Sequence, residues 1–199
     1  AFREATSDER LVEAAVGEKL FMPPNPKQAL IIDGWLNPVK KVFTLTGGNK
    51  LGKTTLGATL AISVMVGRTL WDDQKIPFPH RYPRKIRYVG QGWESHVKTV
   101  VIPALKFWWP KNRPVDRKKN NQGVEAFWKD LATGSTIEIM STSQSTDVFE
   151  GWDGDLIIYD EPPPRDIRVA CARGLVVRKG RALFTATLIK EAWIHREVM

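Results

Sequence analysis

The chain has 199 residues, 42% of them hydrophobic and 26% charged, which is enough to bury one sizeable core and too apolar for a disordered polymer. No apolar run approaches the roughly 20 residues needed to cross a bilayer, the opening AFREATSDER has no signal-peptide core, and a single cysteine, Cys171, excludes an internal disulfide framework. A net charge of +8 and a pI near 9.7 favour a polyanionic partner without requiring one.

In chain order, residues 7–19 open with Ser7 as a cap and set Leu11, Ala14 and Ala15 on one face, predicting a short peripheral helix. The proline-rich FMPPNPKQ reads as extended, and a second helix is expected over residues 27–36. KKVFTLT, with its β-branched residues, predicts a buried strand running into Gly47 and Gly48. KTTLGATLAISVMVG is apolar nearly all round, as a helix packed on both sides requires, and Gly67 is placed to end it. A loop to residue 84 precedes the strand KIRYVG, and ESHVKTVVIPALKFWW predicts a helix interrupted or entered at Pro103.

PKNRPVDRKKNNQG reads as a polar, basic loop. EAFWKDLATGSTIEIMST predicts two strands joined by a turn at residues 132–134. DLIIYDE and RALFTAT are two more buried strands, separated by a helix over residues 167–177. Strands alternating with helices imply an α/β fold, a mainly parallel sheet with helices on both faces.

Three strand ends carry the chemistry. Gly47, Gly52, Lys53 and Thr54 satisfy G-x-x-x-x-G-K-[ST] between a predicted strand and a predicted helix, the context in which that pattern cradles phosphate. The glycines let backbone N–H groups turn around an anion, Lys53 neutralises the β and γ phosphates, and the Thr54 hydroxyl is a candidate Mg²⁺ ligand. At the end of LIIYD, neighbouring side chains point in different directions, so Asp160 is expected to face the Mg²⁺ shell while Glu161 orients the attacking water. Thr185 and Thr187, two apart, share a face; they read either as sensors of the γ phosphate or as ordinary β-favouring threonines. In KFWWPKNRPVDRKK, Trp108 and Trp109 are interleaved with Lys111, Arg113, Arg117, Lys118 and Lys119; this reads either as a nucleic-acid grip or, the version favoured here, as buried tryptophans beside a solvated charged loop.

GGNKLGKTT, LIIYDE and FTATL in this order, with PNPKQ upstream and STSQSTDVFEGWDGD before the acidic pair, resemble the large terminase subunit of tailed bacteriophages, the ATPase that packages DNA into preformed capsids. The resemblance covers residues 21–199 and implies a P-loop NTPase domain of the RecA/helicase-like ASCE type, with residues 1–20 as a helical lead-in. It implies that Gly47, Gly48, Asn49, Lys50, Leu51, Gly52, Lys53, Thr54 and Thr55 form a Walker A loop, with Lys50 reaching toward the γ phosphate. It further implies Walker B at Asp160 and Glu161, a coupling motif at Thr185 to Thr187, and a glutamine, Gln28, on the adenine of ATP. Where some members carry an arginine finger, this chain has Glu150 before Gly151, so Arg165, Arg168 and Arg173 become the candidates for a finger supplied to a neighbouring subunit. For each of the three, an ordinary surface arginine is the competing reading.

The implied cofactors are ATP and Mg²⁺. The implied partners are double-stranded DNA, a homo-oligomeric ring on a portal and a small terminase subunit, in the cytoplasm of the infected host cell and with no membrane. The metal-binding carboxylates of the family's C-terminal nuclease have no counterpart after Thr187. Two other functions fit part of the pattern: a helicase-like remodelling ATPase, and a nucleotide-switch DNA-binding module without productive turnover.

Overall fold

The computed structural model describes residues 24–37, 41–48, 51–76 and 82–187. The lead-in helix expected over residues 7–19 lies outside them, as do Asn49 and Lys50.

Helix α1 (Pro26–Leu36) starts one residue earlier than expected, because Asn25 and Gln28 form a capping box in which each side chain accepts from the other's backbone N–H. Pro26 opens the helix, where its missing N–H costs nothing. Strand β1 (Val42–Thr46) leads into the glycine loop, and α2 (Lys53–Val66) follows it. Leu56, Leu60, Ile62, Val64 and Met65 are all buried, so α2 is enclosed on several sides, and Gly67 ends it in the left-handed conformation.

Strand β2 (Lys85–Gly90) is followed by a π-helical segment (Trp93–Val101) that passes directly into α3 (Ile102–Trp108). The expected helix over this stretch is therefore two helices of different winding. Pro103 stands in the first turn of α3, where a missing donor is tolerated. Strands β3 (Val115–Lys119), β4 (Glu125–Asp130) and β5 (Thr136–Ser141) form an antiparallel meander. Strand β6 (Leu156–Asp160), helix α4 (Arg165–Arg178) and strand β7 (Arg181–Ala186) complete the chain.

The stretch expected to be a basic loop instead contains β3. Backbone pairing with β4, from Val115 opposite Asp130 to Lys119 opposite Glu125, makes the strand. Its side chains are half-buried to exposed, so the apolar alternation that marks a strand is missing. Trp108 and Trp109 are buried, as the favoured reading had them.

The seven strands run in the order β1-β7-β6-β2-β5-β4-β3. The pairs from β1 through β5 are parallel and the remaining two antiparallel. The sheet separates two apolar layers. On one face α1, α2 and α3 pack on Ile86, Tyr88, Leu156, Ile158 and Leu183. On the other, Ile167, Ala170 and Cys171 of α4 pack on Ile157, Tyr159 and Phe184. Neighbouring residues of β6 and β7 thus serve opposite layers, which is why both strands are apolar without interruption.

Helix α1 is pinned to the sheet by the buried Arg181, whose guanidinium donates to the Trp35 carbonyl; burial lowers the pKa of this arginine to about 10.

Helix α2 crosses β2 and β6 at Gly57, where a Cβ would lie 2.6 Å from the Tyr88 hydroxyl and 3.2 Å from Ile158. That hydroxyl is buried without a hydrogen bond of sound geometry; burial, and then the nearby charge of Asp160, keep it protonated well above the usual phenol range. Gly57→Ala is therefore expected to destabilise the fold by about 1–3 kcal/mol through overpacking, against the gain of about 1 kcal/mol that alanine brings to a helix. Tyr88→Phe removes the obstructing oxygen, so adding it to Gly57→Ala is expected to restore most of the loss in a urea-unfolding double-mutant cycle. Additive effects would show that the contact does not limit packing.

Candidate active site

The register of the parallel strands sets Thr46 beside Ala186 and Asp160 beside Thr185, so β1, β7 and β6 end along one edge. The glycine loop leaves that edge from β1. Gly47 is fixed by its N–H to the Ala186 carbonyl at 3.2 Å. Gly52 holds φ +71°, in the left-handed region, which favours glycine, and a Cβ on it would displace Gln28 Nε2, 2.6 Å away. It caps α2 with no side-chain acceptor, so the N–H groups of the first turn are not covered by a capping side chain.

Gln28 lies against this loop. Its Nε2 donates to the Gly52 carbonyl at 3.0 Å, and Asn25 Nδ2 donates to the Leu51 carbonyl at 3.4 Å. The start of α1 therefore grips the end of the glycine loop. Thr55 sits in the first turn of α2.

Lys53 is only 8% exposed. Its ammonium donates to the Gly47 carbonyl at 2.9 Å and to Thr187 Oγ1 at 2.5 Å, and lies 3.6 Å from Glu161. Glu161 is held in turn by Thr187, whose N–H and hydroxyl both donate to it at 2.9 Å. Its own N–H donates to the Thr185 carbonyl, and its φ of +79° puts a non-glycine residue in the left-handed region, a backbone cost concentrated beside the cluster.

Asp160, one residue earlier, faces other partners. Thr54 Oγ1 donates to it at 2.9 Å and Thr185 Oγ1 at 2.8 Å. The structure thus brings together Lys53, Thr54, Asp160, Glu161, Thr185 and Thr187, from the first turn of α2 and the ends of β6 and β7.

Sequence reasoning missed one member of this group. His96 Nε2 lies 3.1 Å from Asp160 Oδ2, carried there by the π-helical segment. A lone histidine in a helical stretch has no spacing pattern that marks it. The only available signal was its position a few residues beyond the end of β2, at the carboxyl edge of the sheet.

The three arginines lie together on α4. Arg165 and Arg168 occupy its first turns, and Arg173 pairs with Glu150 at 3.5 Å with both side chains more than half exposed. Glu150, at the place where an arginine finger was sought, therefore holds one of the candidates.

Thr54 Oγ1 and the Asp160 carboxylate offer adjacent hard oxygens suited to Mg²⁺. Among the described residues no three His, Cys, Asp or Glu side chains cluster as a metal site.

The architecture, seven mostly parallel strands with helices on both faces and a glycine loop between the first strand and its helix, is that of an α/β P-loop NTPase. Its structural neighbours include the large terminase of a thermophilic bacteriophage. One crystal form of that terminase superposes with a TM-score of 0.62 at 16% identity over 83% of this chain, and a second with 0.60 at 11% over 82%. The same terminase in complex with ADP superposes with 0.59 at 14% over 82%. The chain spans about two fifths of the length of these terminase chains, at 38–39% coverage. No family profile and no curated protein matches the sequence. Among the described residues, no helix is long and apolar enough to cross a membrane.

Proposed function

We propose that this chain is the ATPase motor domain of a viral DNA-packaging terminase, hydrolysing ATP to drive double-stranded DNA into a procapsid. The observation that carries the reading is the convergence of Lys53 and Thr54 with Asp160 and Glu161 at one edge of the sheet. A terminase solved with ADP shares the fold, which supports the choice of nucleotide.

In this reading the amides of residues 47–52 and the start of α2 receive the phosphates, and the Lys53 ammonium moves from its Gly47 and Thr187 partners onto the β and γ oxygens. Gln28, already fixed against Gly52, presents its remaining amide N–H and carbonyl lone pair to adenine. Thr54 and Asp160 would hold Mg²⁺, which neutralises charge between the β and γ phosphates when bound. Glu161, oriented by both Thr187 donors, aligns water for in-line attack and takes its proton. Departure of the γ phosphate changes the partners of Lys53, and Thr187, bonded to both Lys53 and Glu161, carries that change into β7. Thr185 keeps Asp160 in place during the cycle.

Arg165, Arg168 and Arg173 stand on one helix, and an arginine that enters a neighbour's site from there completes charge neutralisation only in an assembled ring on a portal, with a small terminase subunit as a further partner. The test is phosphate release as a function of protein concentration. With Mg²⁺ and ATP, turnover per chain is expected to be slow in dilute solution and to rise by roughly 10-fold or more as chains associate, since a finger in trans contributes on the order of 10³ or more where it is fully engaged. A rate per chain that is high and independent of concentration would remove the need for a neighbour's arginine. No release at any concentration would remove the ATPase reading.

A further inference from the structure

On the antiparallel side of the sheet a groove of about 480 Å³ opens between the β3–β4 hairpin, β5 and Trp93, the first residue of the π-helical segment. Lys118 and Lys119 border it, and the amide side chains Asn120, Asn121, Gln122 and Gln144 stand around them. Among the described residues a single acid, Glu138, lines the groove, and the buried Arg87 takes its carboxylate through two bonds of 2.7 and 2.9 Å. The groove is therefore positive, with neutral amides beside the charge.

Its construction is specific. Lys118 and Lys119 both line this groove, as do Ala126 and Phe127 on the paired strand. In the ladder beneath them, pairing steps from Lys118 opposite Phe127 to Lys119 opposite Glu125, which leaves Ala126 unmatched as a bulge. Lysines on an edge strand also guard against unwanted strand pairing, but that role needs neither the bulge nor the amides. The segment that brings Trp93 to the groove also carries His96 to Asp160, so one element borders both the groove and the candidate ATP site.

We infer that this groove receives the phosphodiester backbone of duplex DNA. Lys118 and Lys119 would neutralise phosphates and release their counterions, while the amides donate hydrogen bonds that carry no sequence preference. The inference rests on the DNA-translocating reading above and adds the surface on which the duplex lies.

Fluorescence anisotropy with two labelled duplexes of unrelated sequence tests it, in a salt series between about 50 and 200 mM. The Lys118→Gln/Lys119→Gln chain is expected to bind both duplexes roughly tenfold more weakly at low salt, with the slope of log affinity against log salt shallower by about two. The charge-keeping Lys118→Arg/Lys119→Arg chain is expected to bind like the parent, as is Lys75→Gln beyond the far end of α2. Unchanged binding of a fluorescent ATP analogue shows that each variant is folded. If the parent binds DNA and the glutamine variant binds equally well with the same slope, the groove is wrong and DNA lies elsewhere. If the parent binds the ATP analogue but no duplex at any salt, the DNA reading fails and takes the groove with it.

Discussion

Glu161→Gln is expected to leave ATP binding intact and to lower the rate of phosphate release by roughly 10²–10⁴-fold, the usual contribution of a positioned general base. Glutamine keeps the size of the side chain, and its carbonyl oxygen can still accept one of the two Thr187 donors that fix Glu161. It removes the negative charge and the second acceptor, the properties that polarise water and take up its proton. The electrostatic contact with Lys53 at 3.6 Å is lost as well, but that lysine is expected to turn toward the phosphates when ATP is present. Single-turnover phosphate release, read beside equilibrium binding of a fluorescent ATP analogue, separates the outcomes. Persisting turnover would place the water-orienting carboxylate elsewhere. Loss of binding and turnover together would mean that Glu161 shapes the loop and does not serve the reaction.

Lys53→Ala should act on the earlier step and weaken nucleotide affinity before chemistry is reached. The ammonium is nearly enclosed and held by Gly47, Thr187 and Glu161, so a triphosphate entering the loop meets a desolvated cation. Truncating one partner of such a charge pair costs about 2–5 kcal/mol, equivalent to nucleotide binding roughly 30- to 5000-fold weaker. Stability without nucleotide should fall as well, since Gly47, Thr187 and Glu161 lose their cation, a loss that alanine's helix propensity at the first position of α2 only partly offsets. Lys53→Arg is not expected to rescue binding, because a planar guanidinium does not replace a compact ammonium between a carbonyl and a hydroxyl. Undiminished affinity in Lys53→Ala, measured by calorimetry, would show that the glycine bend does not hold phosphate.

Much of this molecule is legible in its residues because its centre is apolar on both sides. LIIYD and RALFTA are buried at every position, so they read as strands without any alternation to count, and α2 reads as a helix because small and apolar residues surround it. The P-loop NTPase architecture follows from that order, with helices on both faces as expected. The margins were less readable. Strand β3 exists through its ladder with β4 while its side chains are only half-buried or exposed, so VDRKK resembles a charged loop. The π winding of residues 93–101 depends on bonds between residues five apart, and nothing in the apolar pattern separates it from an α-helix. Within the cluster, Lys53, Thr54, Asp160 and Glu161 were named by motif and spacing. His96 was not, because its meeting with Asp160 joins residues 64 positions apart through the crossing of two elements. In PNPKQ, Asn25 and Gln28 form a helix cap, a role their spacing alone announces, whereas an adenine contact for Gln28 came only from the family resemblance.

Strand β1 borders the sheet among the described residues, with β7 as its sole neighbour, and the glycine bend hangs from that outer strand. Among the described residues the bend is moored to β7 by Gly47 to Ala186 and Lys53 to Thr187, and to α1 by Gln28 and Asn25. A triphosphate gripped between this bend and the acids of β6 would span β7 and lash the rim to the middle of the molecule. Occupancy would then govern how readily the rim frays as well as whether hydrolysis can start, so each turn of the cycle would stiffen and slacken one flank of the domain.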